Sequence, residues 1–489
     1  MSHFAHACGV HDAPRAAACE AVHRKIGELG LERVRIAWCD MHGALRGKTL
    51  MPAATMQALT HGVSMVSSIL LKDTSDRTAY NVFEPGALSA LPGFGAANNL
   101  MLLPDPTSLC LLPWASGTGW MRAQAWFADA TPLTVEPRFV LQAALARLAD
   151  AGYRLRCGLE VEFHIYRIVR ENLDPQLADW PGEPPEVEMI HPGYNLLSEA
   201  NADMAEPALR IVQSTARALG LPLRSLEIEL GPSQVEAVFD PGDALTVADQ
   251  MVLFRNGVRQ ALRRAGFYAS FVCRPPFPNV MASGWHLHQS VIALADGGNA
   301  FMRAAPAPGT TPADAQHTLS STGAHWLGGL LAHAGGAAIF GTPTINGFTR
   351  FKPHSMAPLS ILWGRDNRGA MLRVLGGSGD AATRIENRVG EPMANPYLYI
   401  ASQIHSGLSG LRRQSDPGPA SDAPYAQGAA LPRNLEQALA ALQADATLCE
   451  AFGAQLVDLY NRIKRSELER HRAATDADVW MRREYFSRY

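Results

Sequence analysis

The chain has little of what usually sorts a protein into a class at first reading. Its seven cysteines, Cys8, Cys19, Cys39, Cys110, Cys157, Cys273 and Cys449, are odd in number, scattered through 489 residues and form no C-x-x-C pair. That argues against a disulfide framework or a zinc ribbon and fits a reducing cytoplasm. Basic excess is absent as well: 43 Lys and Arg stand against 46 Asp and Glu, a formal charge of −3, with no polybasic block. A nucleic-acid binder would show the opposite balance. No apolar run is long enough for a membrane span. The longest passage, Leu327 to Gly341, is interrupted by His333 and several glycines and reads as a buried helix. The start, Met1 to His6, has no basic stretch leading into an apolar one, so a secretory signal is not expected. Neither G-x-x-x-x-G-K-[ST] nor G-x-G-x-x-G occurs, so a nucleotide would not be held by a P-loop or a dinucleotide turn.

What is present is ordinary globular composition, 47% hydrophobic and 18% charged, and enough length for roughly two to three domains. Residues 1–20 read as a flexible tail. His3, His6, Cys8 and His11 could take up a metal there opportunistically, although a disordered terminus explains them more simply. Residues 21–130 form a small β-rich unit. Val34, Ile36 and Trp38 alternate with Arg33 and Arg35 as in a half-buried strand, and Ala44 to Leu50 follows as its return after the Asp40–Gly43 turn. Pro132 and Pro137 mark a boundary, so residues 131–489 form the second, larger unit. It begins with a helix whose apolar face is Leu141, Ala144, Leu145 and Leu148, stopped at Gly152. A strand is expected over Tyr153 to Ile168, a Pro/Gly/Ala/Ser loop over 414–432, and helix over 434–470, capped by Asn434.

The chemistry lies in short strand-like stretches. Glu160-Val-Glu162 would put two carboxylates on one strand face about 7 Å apart, a repulsive arrangement unless cations lie between them. Glu227, Glu229 and Glu236 repeat the theme around Gly231-Pro232, and His286 and His288 share a face in Ser283-Gly-Trp-His-Leu-His. Arg384-Ile-Glu386-Asn-Arg388 alternates guanidinium and carboxylate, with Arg350, Arg368 and Arg373 upstream. Each stretch alone also fits a solvated strand face or a surface salt-bridge ladder. Together, Glu160, Glu162, Glu229, Glu236, His286 and Glu386 are an oxygen-rich donor set with one imidazole. That set suits Mg²⁺ or Mn²⁺ better than zinc, and the arginines suit a polyphosphate. Phosphoryl transfer is the expected chemistry.

In this order the segments resemble the glutamine synthetase family, from about Leu31 to the C-terminal helices. The motifs that carry the resemblance include Gly-Ala-Leu-Arg46-Gly47-Lys48, Glu160-Val-Glu162, Glu229 to Glu236, Ser283-Gly-Trp-His286-Leu-His288, Arg384-Ile-Glu386-Asn-Arg388 and Asn395-Pro-Tyr397-Leu. The resemblance implies an α+β fold: a small N-terminal β-grasp-like domain and a large catalytic domain with a curved antiparallel sheet flanked by helices. It implies ATP as co-substrate and two or more Mg²⁺ or Mn²⁺ ions, one held by Glu162, Glu229 and Glu236, the other by Glu160, His286 and Glu386. Arg368 and Arg373 would then neutralise the transferred phosphoryl group, Arg350 and Arg388 would hold glutamate, and His288, Ser290, Arg373 and Arg384 would line the nucleotide pocket. It also implies a homo-oligomer, a dodecamer of two stacked hexameric rings with sites between subunits, whose partners are otherwise small molecules: glutamate, an amine and ATP.

Two departures from the family redirect the substrate. Met65 stands where an acidic residue would bind ammonium, and Met356, just before Ala357-Pro358, replaces a flap glutamate that would deprotonate it. Both positions have become apolar and polarizable. With Trp285 and Trp363 they are expected to form a pocket for a hydrophobic, aniline-like amine, which is neutral near pH 7 and needs no base in its ground state. Polyamines and ammonium remain the alternative amines, and a non-catalytic relative the alternative class. Met281-Ala282 stands where the family has Asn-Gly beside glutamate, which leaves room for a related acid.

Overall fold

The computed structural model describes residues 3–304, 318–353, 355–423, 426 and 428–489. Two sheets organise it. The first is built from β1 (Arg33–Cys39), β2 (Leu45–Leu50), β3 (Val63–Val66), β4 (Asn99–Pro104), β5 (Cys110–Leu111) and β6 (Thr118–Phe127) in the order β2-β1-β6-β4-β3, with β5 also on β6. Only β1 and β6 run parallel. Val34, Ile36 and Trp38 are fully buried, as the alternation requires.

The amino-terminal residues are not a tail. Helix α1 (Phe4–Ala7) buries Ala5 against Leu103 and Trp126, and α2 (Ala13–Glu28) is capped by Asp12, whose carboxylate accepts from Arg15 N at 2.8 Å. The Arg15 side chain then donates to the carbonyls of Leu59 and Pro104, both at 2.9 Å, and ties α2 to α3 (Pro52–His61) and to the sheet. Sequence pattern misses α2 because alanine supplies its helicity while only Val22 and Ile26 are fully buried.

The second unit opens with α4 (Pro137–Asp150), followed by β7 (Tyr153–Arg170), the 18-residue strand on which the rest is hung. After it come β8 (Glu186–Met189), α5 (Glu199–Ala218), β9 (Leu223–Ile228), β10 (Gln234–Phe239), β11 (Gly242–Asp243), α6 (Ala244–Arg264), β12 (Phe267–Ser270) and β13 (Trp285–Ala293). Helices α7 (Ser321–Ala332) and α8 (Ala334–Gly341) break at His333 within the expected apolar passage. The chain closes with β14 (Ser360–Ile361), β15 (Trp363–Arg365), β16 (Leu372–Leu375), β17 (Arg384–Asn387), α9 (Pro396–Arg413), β18 (Ala429–Ala430) and four helices, α10 (Leu435–Ala444), α11 (Ala446–Phe452), α12 (Ala454–Arg472) and α13 (Ala477–Met481). The ten-stranded sheet reads β15-β16-β17-β13-β7-β10-β9, with β8, β11 and β12 also on β7, and every pairing except β15–β16 is antiparallel. Asn434 caps α10 through Gln437 N at 2.8 Å. Within the loop expected over 414–432, positions 424, 425 and 427 lie outside the described residues.

Alternation gives the central strands two different faces. Leu159, Val161 and Phe163 on β7, Val235 and Ala237 on β10, Trp285 and Leu287 on β13 and Ile385 on β17 are all at most 1% exposed and belong to the main hydrophobic core. That face is packed by α4 and α6, and Tyr399 of α9 meets Trp285 there. The opposite face carries the polar residues between them.

A buried ionic knot joins distant parts of the chain. The Asp73 carboxylate accepts from Arg470 Nε at 2.8 Å, and the same guanidinium donates to Glu484 at 2.6 and 2.7 Å. Thr74 and Ser75 hydroxyls also donate to Glu484. Burial works against the Glu484 carboxylate, but these donors hold it below the usual range.

Candidate active site

Register brings the polar residues together. On antiparallel strands, opposed residues point to the same side. Glu236 of β10 opposes Glu162 of β7, His286 of β13 opposes Glu160, and His288 opposes Glu386 of β17, which in turn opposes Arg373 of β16. Gly158 sits opposite His288, so no side chain directly faces the imidazole across that pair and it can lean towards Glu160, two positions along β7. Glu229 enters from the turn after β9, where its backbone N–H donates to Gln234 O at 3.0 Å.

Ligand atoms of Glu162, Glu229 and Glu236 lie within 4.8 Å of one another, as do those of Glu160, Glu236 and His286, and those of Glu160, His288 and Glu386. All six expected ligands are therefore gathered, and His288 joins them. His286 Nδ1 lies 2.7 Å from Glu160 Oε1 and 3.8 Å from Glu386 Oε1, while His288 Nε2 is 3.0 Å from Glu160 Oε2.

The electrostatics are those of a cation site. Burial, then the Glu160, Glu162 and Glu229 charges, push the Glu236 carboxyl up to about 10. Burial and Glu229 push Glu162 to about 7, and Glu229 is raised as well. Burial also opposes the charge on Glu160, but the two imidazoles hydrogen-bonded to it hold it far below the usual range. Burial, assisted by Arg388, lowers His286 to about 4, so near neutral pH it is an uncharged donor to Glu160. Carboxylates forced to hold protons by one another are relieved by a divalent ion, and oxygen donors with an imidazole fit a hard divalent cation.

Arginines border the cluster. Arg350 is buried, donates to the carbonyls of Arg388 and Gly390 at 3.0 Å each, and holds Nη2 3.3 Å from His286 Nε2. Arg373 donates to Glu386 Oε2 at 2.9 Å and to Asp366 at 3.0 Å. Arg388 pairs with Glu386 and donates to the Met356 carbonyl at 3.3 Å. Arg384 Nε reaches His288 Nδ1 at 3.2 Å, and Ser290 follows on the same face of β13. Arg368 is exposed on the turn between β15 and β16, outside the cluster.

The expected amine pocket needs correction. Trp285 alternates with His286, so it points to the helix side and packs edge-on against Tyr399, with ring centroids 5.1 Å apart. Trp363 pairs with Leu372, on the same core side, and donates to the Gly418 carbonyl at 3.1 Å. Met65 is buried in β3 opposite Leu100, in the small sheet rather than beside the carboxylates of its own subunit. Of the three residues expected from the same subunit, only Met356 stands at the site; Met65 is expected from a neighbouring one. Met356 is 57% exposed and has φ +58°. His354, two residues before it, lies outside the described residues.

Some supporting residues were not assigned a role from sequence. Gln234 Nε2 bonds Glu162 Oε2 at 3.2 Å, and the Gly284 N–H donates to the same oxygen at 2.7 Å. A Cβ on Gly284 would stand 2.6 Å from Arg350 Nη2 and 3.0 Å from His286 Nε2. The available signal was a glycine placed directly before an otherwise aromatic and imidazole-bearing strand.

Known proteins are similar to this chain over most of its length. The model of the glutamine synthetase catalytic domain matches residues 134–484. The chain is 37% identical over 488 residues to a γ-glutamylanilide synthase of an Acinetobacter species, covering 96% of each. It is 30% identical over 478 residues to a γ-glutamylethanolamide synthetase of Streptomyces coelicolor, again covering 96% of each. A ligand-free structure of GmaS superposes with a TM-score of 0.74 at 27% identity, covering 94% of this chain and 98% of that one.

Proposed function

Because the chain belongs to the glutamine synthetase family, we propose that it is an ATP-dependent ligase joining the γ-carboxylate of L-glutamate to an organic amine, hydrophobic or aromatic in character. The observation that carries this reading is one sheet face on which five carboxylates and two imidazoles converge between arginines, beside a strap whose side chain before Ala357-Pro358 is Met356 rather than an acid. The glutamate γ-carboxylate attacks the terminal phosphorus of ATP and ADP leaves. The amine nitrogen then attacks the acyl carbon of γ-glutamyl phosphate, phosphate leaves, and the nitrogen gives up a proton.

Glu162, Glu229 and Glu236 are assigned to one Mg²⁺ or Mn²⁺, and Glu160, His286 and Glu386 to a second, with His288 in reach of it. Bound divalent ions would screen the charge of the polyphosphate and of the transferred group. The protein's own share is positioning. Arg350 and Arg388 are assigned to the glutamate carboxylates, Arg373 to the transferred phosphoryl group together with Arg368, and His288, Ser290 and Arg384 to the nucleotide. An alkylammonium, with a pKa of about 10 like lysine, must be deprotonated before it attacks. An aromatic amine is already neutral, and the absence of an acid at position 356 favours it. The similarity to the γ-glutamylanilide synthase of an Acinetobacter species points the same way.

Exposed Tyr194, Leu196, Leu197 and Leu230, next to Glu229, support a site completed by a second subunit. We assign a dodecamer of two hexameric rings, in which Met65 would reach the amine from a neighbouring small domain. Seven free thiols support a cytoplasmic setting. Phosphate release should be measured with ATP, Mg²⁺, glutamate and a panel containing aniline, ethanolamine, a diamine and ammonium. Release only with organic amines, and a mass-identified γ-glutamyl anilide, is the expected result. Turnover with ammonium alone would make the chain a glutamine synthetase, and nucleotide binding without any product would make it non-catalytic.

A further inference from the structure

The Arg46 motif plays no part in the site described above, yet it borders a second cavity. On the helix-covered side of the large sheet, the β1–β2 turn, α6 and the segment after Phe486 enclose about 220 Å³, lined by Arg46, Arg255, Asn256, Arg259, Arg488 and Tyr489. That is several times the volume of one water, about 30 Å³. Four guanidinium groups face it, and among the described residues two side-chain carboxylates answer them. Arg46 pairs with Asp40 at 2.8 Å and with Asp76 at 2.6 Å, and Arg488 lies 3.5 Å from the same Asp76.

Arg255 and Arg259 have no such partner. Arg255 is 4% exposed, and its donors go to carbonyls only: Gly43 at 2.6 Å, Pro392 at 2.7 Å and Ala394 at 3.2 Å. Burial, with Arg259 adding to it, lowers its pKa, although Cys39, Tyr489 and Asp40 act in the opposite direction. Arg259 stands beside the Tyr268 hydroxyl, a neutral group, which itself donates to the Phe486 carbonyl. Buried guanidinium groups ordinarily face a carboxylate or phosphate that matches their fork.

We propose that this cavity is a non-catalytic binding site for a small oxyanion of two or more negative charges, a phosphate or a short dicarboxylate, held by Arg255 and Arg259 with Arg46 and Arg488 at its rim. Such a ligand bridges the small sheet's hairpin, α6 and the C-terminal segment, so it stiffens the seam between the two sheets. Crystals of the full-length protein soaked in selenate, whose anomalous signal locates the anion, test it directly. A peak between Arg255 and Arg259 is expected, and it should vanish in Arg259→Gln. In solution, inorganic phosphate and succinate are titrated separately against thermal unfolding. At least one should raise Tm in a dose-dependent way, and Arg259→Gln should need at least about tenfold more of it. Which titrant acts at lower concentration identifies phosphate or dicarboxylate chemistry. If Arg259→Gln fails to fold, Arg488→Gln carries the comparison. No selenate in the cavity of the wild type, or the same dose dependence in wild type and variants, overturns the proposal.

Discussion

At the scale of single residues, the carboxylates of the site resist one another. With Glu236 pushed up to about 10 and Glu162 to about 7, the metal-free subunit at pH 7 keeps a proton on the first and shares one on the second. A divalent ion needs both deprotonated. Binding of Mg²⁺ at pH 7 should therefore release about one to two protons, read by calorimetry in buffers of different ionisation enthalpy. Glu236→Gln should release about one fewer. Apparent Mg²⁺ affinity should rise with pH up to about 10, because protonation below the raised values competes with the ion; an affinity independent of pH would contradict this. Met356 offers the complementary change. Met356→Glu restores a carboxylate where Arg388 reaches the backbone at 3.3 Å. It should raise kcat/KM for ammonium or alkylamines relative to aniline by about 10²-fold, the scale of a positioned general base.

At the scale of elements, alternation made the site legible and also set the limit of that reading. Period two put Glu160 with Glu162 and His286 with His288 before any fold was known, and the register of β7 with β10 and β13 supplied the rest. The same rule, applied to Trp285, turns it away from the pocket and towards Tyr399. Trp363 could not be resolved without its parallel partner β16, since a three-residue strand has too little pattern to fix its faces. The α7–α8 break shows another element whose role sequence did not disclose. His333 Nδ1 lies 2.7 Å from Asp445 Oδ2 and Nε2 lies 2.9 Å from Ser409 Oγ, the spacing of a hydrolase triad. Ser409 is 1% exposed inside α9, so the trio fastens helices and attacks nothing. His333→Ala should lower unfolding free energy by about 2 kcal/mol in chemical denaturation, since a buried hydroxyl and a half-buried carboxylate lose their partner, with kcat unchanged.

At the scale of the molecule, the knot of Asp73, Arg470 and Glu484 ties the segment after β3 to α12 and to the turn after α13. Arg470→Ala leaves both carboxylates buried without a cation, and a loss of about 3–5 kcal/mol is expected in urea or guanidinium unfolding. Glu484 is depressed in the folded state, so its contribution is present above its ordinary value of 4.5 and is lost as pH falls below it. The wild type should show a steeper acid-side decline in Tm than Arg470→Ala. None of this knot could be read from sequence, because no local pattern links a turn near Thr74 to a carboxylate 410 positions away. The small sheet itself was legible through β1 and β2, whereas its alanine-built first helices gave no periodic signal.

That separation also orders events during synthesis. At roughly 5–20 residues per second, the Thr74 turn leaves the ribosome some 20–80 s before Glu484 is made. Its hydroxyls, and the acid at position 73, must stay in water for that interval. The small sheet can pair its strands early, but the turn that follows β3 is fixed only after some 410 further residues have been made, so an early part of the polypeptide is among the last to reach its final form.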